Sequence, residues 1–226
     1  MNSSFLFHEL DETLEILSKN DINVMITFLV GDNTGYGESI DNYTKSNKNQ
    51  IFITSGPDNE LFKILSQKEL NIEIPDDIAL QIIETFHHEV EHILHRLIEI
   101  KKENSLDAEI IALEYLLSQN SRWYRKNYLD TFMERNCEFN GYGRTILFIN
   151  GLDVSQERKE ELYKTLCENF EKAYKKIIPK KERVLQGETY ETKALSMAKL
   201  LRNRSLEIIN TERGIFNVVE SKSPSS

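Results

Sequence analysis

The chain of 226 residues predicts an α+β fold: mostly helical, with a small N-terminal β-sheet and a helical C-terminal extension. Three observations carry that expectation. Apolar residues recur at spacings of three and four over 1–20, 76–103, 106–120 and much of 151–204, the period of a helix with one buried face. Two short runs, 22–30 and 50–54, are instead rich in β-branched and apolar residues and are closed by glycine, proline and aspartate. A hydrophobic content of 39% with 29% charged residues is that of a globular protein long enough to bury a sizeable core.

Residues 1–20 set Phe5, Leu6, Leu10, Leu14, Ile16 and Leu17 on one helical stripe, a covering helix that closes at Lys19 and Asn20. Ile22–Val30 reads as a strand, and Gly31, Gly35 and Gly37 behind it as a turn. No Lys-Ser/Thr follows those glycines, so they do not form a phosphate cradle. The polar segment 38–49 reads as a loop, and Gln50–Thr54 as a second strand ended by Ser55-Gly56-Pro57-Asp58. A short helix over 59–70 follows, with Leu61, Phe62, Ile64, Leu65 and Leu70 as its apolar side.

Pro75, Asp76 and Asp77 mark a helix start, with acidic residues where the helix dipole favours them. The helix they open runs over 76–103, with Ile78, Ile82, Phe86, Val90, Ile93, Leu94, Leu97 and Ile100 toward the core. Further helices are predicted over 106–120 and 126–140, the second stopped by Gly141-Tyr142-Gly143. Residues 144–149 read as either a further helical turn or a short strand. Beyond Gly151 the pattern is helical again, with one stripe from Leu162 to Ile177 ending before Pro179 and another helix over 189–204. These elements divide the chain into a domain over 1–150, a helical extension over 151–220 and a disordered tail over 221–226.

The formal net charge of −9 argues against nucleic acid or an anionic membrane surface as a partner. No apolar run approaches the roughly 20 residues that span a bilayer. Two cysteines, Cys137 and Cys167, in a chain that opens without a secretory pattern lead to the expectation of a cytoplasmic protein with reduced thiols.

The chemistry is concentrated in Phe86-His87-His88-Glu89-Val90-Glu91-His92, where His88, Glu89 and His92 form H-E-x-x-H within the predicted 76–103 helix. Side chains four apart share a helix face, so two imidazoles can reach one zinc ion, with Glu89 beside them to take a proton from a water. Four of the five histidines, His87, His88, His92 and His95, fall within nine positions. His87 is turned about 100° from His88 and reads as a surface or packing residue. His95 lies about 10 Å along the axis from His88, too far to share the ion, and reads as lining the cleft or hydrogen-bonding locally. Catalytic zinc takes three protein ligands. With only His8 left among the histidines and no cysteine near the motif, a carboxylate on a later helix is the natural third.

Glu134-Arg135-Asn136-Cys137-Glu138 gives the motif a context that resembles the gluzincin branch of zinc metallopeptidases, most closely small soluble intracellular enzymes of the IrrE-like and phage-encoded type. In that branch H-E-x-x-H is followed, one or more helices later, by a ligand glutamate in E-x-x-x-D. The resemblance spans roughly residues 20–145 and implies a zincin-like fold for the 1–150 domain. It implies Glu134 as the third ligand and Glu138, standing where aspartate is usual, as the residue that orients His88. Cys137 stands where alanine is common. Glu109, Glu114 and Glu138 itself remain alternative ligands.

The expected function is therefore a zinc-dependent peptidase, with Zn2+ as cofactor, a peptide or protein as substrate and Glu89 as general base. Tyr142 and Arg144, just beyond the glutamate helix, are candidates to stabilise an oxyanion. Trp123, Tyr124 and Tyr128 read as core or loop anchors, and Gln50–Thr54 as an edge strand that would align substrate. Two alternatives stand beside this reading. One is a non-catalytic zincin-like module that binds metal and acts by interaction. The other is a di-iron helical protein built on Glu84-x-x-His87 and Glu89-x-x-His92, for which a second helix offers no histidine.

Overall fold

Helix α1 (Ser3–Lys19) turns Leu6, Phe7, Leu10 and Leu17 inward and leaves Asp11, Glu12 and Glu15 exposed, as its apolar period dictates. Asn2 caps it by accepting a hydrogen bond from the Ser4 amide at 2.9 Å. The computed structural model describes residues 1–29, 37–42, 48–54, 59–101, 128–177 and, within 192–210, residues 192, 194–195, 198–199, 202–207 and 209–210. The predicted turn over 31–35, the 106–120 helix with Glu109 and Glu114, Trp123 and Tyr124, and the 221–226 tail lie outside the described residues.

Three strands follow α1: β1 (Asn23–Leu29), β2 (Gly37–Asn42) and β3 (Lys48–Thr54). Their order is β1-β3-β2, with β1 parallel to β3 and β2 antiparallel to it. Two expectations change here. Gly37–Asn42 is a strand although 38–49 reads as loop, because its polar residues lack the alternation that marks a half-buried strand and pairing with β3 supplies its order. The segment Gln50–Thr54 is not an edge but lies in the central strand, with Ile51 and Ile53 in the core. The edge beside the main helix is β2.

After α2 (Asn59–Ser66) the chain enters α3 (Asp76–Lys101), the axis on which the other elements pack. Pro75 accepts from the Ala79 amide at 3.0 Å, and Asp76 in the first turn accepts from Arg158 at 2.6 Å. Ala79, Leu80, Ile83, Phe86, Val90, Ile93, Leu94 and Leu97 are all buried, a face too broad for one neighbour. The sheet and α1 cover part of it, and two later helices cover the rest.

Those helices are α4 (Tyr128–Gly151) and α5 (Gln156–Ile177). The expected stop at Gly141-Tyr142-Gly143 does not occur, and residues 144–149 continue the same helix. The glycines have a different task. A Cβ on Gly141 would lie 2.7 Å from the Glu84 carbonyl oxygen of α3, and one on Gly143 would lie 2.1 Å from the carbonyl oxygen of Ala194. Both are points of close backbone approach, so absence of a side chain lets α4 lie between α3 and the C-terminal residues. Helices buried on several sides are apolar on several sides, as Phe139, Tyr142, Ile146, Phe148 and Ile149 of α4 are.

The division at residue 150 falls at the end of α4, yet Leu162, Leu166, Ala194 and Ile209 belong to the same buried cluster as α3. Among the described residues no helix is long and apolar enough to cross a membrane.

Gly143→Ala is expected to destabilise the fold by about 1–3 kcal/mol, since the overpacking cost outweighs the small helix-propensity gain of alanine. Urea unfolding would measure it. An unchanged or higher midpoint would contradict the close approach to Ala194.

Candidate metal centre

On α3 the four-residue spacing of His88 and His92 brings their rings together edge to face, with centroids 4.8 Å apart. Their Nε2 atoms converge to 3.0 Å. Two nitrogens each about 2.0–2.1 Å from a tetrahedral zinc ion lie roughly 3.3 Å from one another, so the donor pair needs to open by only a few tenths of an ångström to share an ion. Glu89 is buried, and the three candidate ligand atoms of His88, Glu89 and His92 all lie within 4.8 Å of one another. Among the described residues this is the one cluster of its kind.

Helix α4 backs both rings. Glu138 Oε1 stands 3.7 Å from His88 Nδ1, and Cys137 Sγ stands 3.5 Å from His92 Nδ1. Each ring therefore meets α4 with one nitrogen and its partner ring with the other. A carboxylate facing Nδ1 favours a proton there, which leaves the Nε2 lone pair available to a cation. Glu138 thus lies on the orienting side of His88, not on the converging side. Glu134 stands on the same helix, one turn earlier than Glu138.

Cys137 is the participant that the sequence reading left without a role. Its Sγ also lies 3.8 Å from His95 Nδ1, which gives His95 the local hydrogen bond expected of it rather than a place in the cluster. His95 is buried, and burial holds its pKa below the usual value. The signal available in the sequence was the adjacency of Cys137 to Glu138.

His87 is not at the surface. It is 1% exposed, with Nδ1 accepting from Arg202 Nη1 at 2.8 Å and Nε2 donating to Glu9 Oε1 at 2.8 Å. Arginine can only donate, so the ring tautomer follows from that contact. Burial, with Arg202 beside it, lowers the His87 pKa well below its usual value and keeps the ring neutral. Arg202 also donates from Nε to Glu91 Oε1 at 2.7 Å, both side chains being buried. With both nitrogens engaged, His87 has none for a metal, and the Glu84-x-x-His87 half of a di-iron site is missing.

Tyr142 and Arg144 turn to other parts of the structure. Tyr142 is 1% exposed with its hydroxyl 3.3 Å from Cys167 Sγ on α5, so it is a core residue. Arg144 stands in the field of Arg202, Glu91 and Glu9, and burial and then Arg202 bring its pKa down to about 10. The physical reason is the unbroken α4: one continuous helix carries residues 142 and 144 past the site, where a turn after residue 140 would have aimed them elsewhere.

No family model, curated protein or solved structure matches this chain. Its chemistry is read from the geometry.

Glu84, one turn before His88, completes the seam. Burial, and then the Glu138 charge, raise its pKa to about 8. An unfolded glutamate ionises near 4.5, so between these values the folded chain holds a proton that the unfolded chain has released. Stability then falls as pH rises from about 4.5 to 8, by at most about 1.4 kcal/mol per pH unit, and levels off beyond. Glu84→Gln removes that slope. In metal-free protein, the variant should gain on wild type steadily across this window in urea unfolding. A difference that stays constant from pH 4 to 8 would contradict the shared carboxyl environment.

Proposed function

We propose that the chain is a zinc-dependent hydrolase of the gluzincin type, acting as a peptidase on a peptide or protein substrate. The observation that supports this most is the convergence of two ring nitrogens at 3.0 Å beside a buried carboxylate. His88 and His92 would hold the ion by Nε2. Glu134 is our choice for the third ligand on the family pattern, and Glu109 or Glu114 are the other carboxylates that would serve.

Bound zinc supplies Lewis acidity, which polarises a scissile carbonyl and makes a water acidic enough to attack near neutral pH. The rest is work for the chain. Glu89 takes the proton of the attacking water and passes it to the leaving amine nitrogen, so one carboxylate serves as base and then as acid. Glu138 keeps His88 oriented. The edge strand β2, packed against α3, replaces β3 as the strand on which an extended peptide would align, because an edge has unpaired backbone groups to offer.

A non-catalytic metal-binding module is the second reading. It is favoured by the burial of Tyr142 with its hydroxyl against Cys167, which gives one of the expected oxyanion donors a core role instead. Glu89→Gln separates the two. The variant should retain one zinc per chain by elemental analysis and lose cleavage of a peptide library by a factor of at least about 100, whereas His88→Ala with His92→Ala should lose the metal. Undiminished cleavage by Glu89→Gln would remove the proposed base. Wild type that holds zinc and cleaves nothing would favour the module.

A further inference from the structure

The pair Cys137-Glu138 divides the two candidate ligand histidines between them, a carboxylate for one and a thiol for the other. The two partners are chemically unlike. A carboxylate only accepts, whereas a thiol is both a weak donor and a weak acceptor. Cys137 is fully buried, so its contacts are made inside the α3–α4 seam, where water does not compete. Its sulfur has two ring nitrogens in reach: His92 Nδ1 at 3.5 Å and His95 Nδ1 at 3.8 Å.

We propose that Cys137 is a positioning residue for metal capture: its thiol holds His92 by Nδ1 so that Nε2 faces the ion. The inference rests on the metal-binding reading above. It concerns the residue in which this chain departs from the pattern it resembles, since alanine there could make no such contact.

The hydrogen bonds run one way in the metal-ready state. His92 Nδ1–H donates to Sγ, and the thiol S–H donates to His95 Nδ1, so His92 keeps the Nε2 lone pair pointed at His88. His95, too far along α3 to bind the ion itself, thereby bears on the site through the sulfur. The two ligand rings are unequally held, and His92 is the one that a change at residue 137 loosens.

Zinc titration against a competing chelator tests this on wild type, Cys137→Ala and Cys137→Ser, with 15N spectra of the histidine rings taken on the same metal-free samples. Cys137→Ala should bind zinc about 10- to 100-fold more weakly, the usual cost of removing a group that orients a ligand histidine. Cys137→Ser, which keeps a donor and an acceptor, should recover part of that loss. The His92 ring resonances should move in Cys137→Ala while those of His88 stay. A folded Cys137→Ala with wild-type zinc affinity and unmoved His92 resonances would overturn the role. So would equal weakening in the alanine and serine variants with unmoved resonances, the mark of a packing defect. Wild type that binds no zinc would overturn the metal reading itself, before any variant is compared.

Discussion

Two imidazole nitrogens held 3.0 Å apart are the constraint on which the rest of this site depends. Lone pairs at that distance repel unless a proton or a cation lies between them. The arrangement survives because each ring is gripped from behind by α4, through Glu138 on one side and Cys137 on the other. Without that backing, rings on one exposed helix face would swing apart into water.

Close contact of α3 with α4 is in turn a matter of backbone. Gly141 lets α4 approach to within contact of the Glu84 carbonyl and the His88 amide, one helical turn from the side chains that grip the rings. On the far side of α3, His87 is held by Arg202 from the C-terminal residues and by Glu9 from α1, and Glu91 meets Arg202 through Oε1. Buried charges of this kind are costly unless paired, and removing one partner strands the other. Arg202 is therefore structural support for the helix that carries the histidines. The H-E-x-x-H segment has a side on which two ring nitrogens converge and a structural side, and its four clustered histidines divide by helical angle and by position along the axis.

Much of this was legible in the chain. Helix α3 could be read from Pro75 through its apolar stripe, and the pairing of His88 with His92 follows from a spacing of four. The Glu138 placement was anticipated by resemblance and Cys137 was not, because a thiol in an alanine position carries no periodic signal. Glycines at 141 and 143 misled for a definite reason. Local propensity reads them as a stop, whereas tertiary packing uses them as points of contact, and propensity yields where burial on both sides is large. Tyr142 and Arg144, expected just beyond the end of α4, lie within it. Strand β2 escaped notice because its polar residues carry no alternation, and its order comes from pairing with β3. The fates of His87 and Arg202 depend on residues 115 positions apart meeting in space, which no local pattern reveals.

Anomalous scattering at the zinc absorption edge, from crystals of protein purified without chelator, is the most direct test of the central claim. The account predicts a single strong peak between His88 Nε2 and His92 Nε2, with a carboxylate completing the ligand set and Glu89 outside it. A refined structure with those nitrogens hydrogen-bonded to each other and no anomalous peak after zinc is supplied would contradict it.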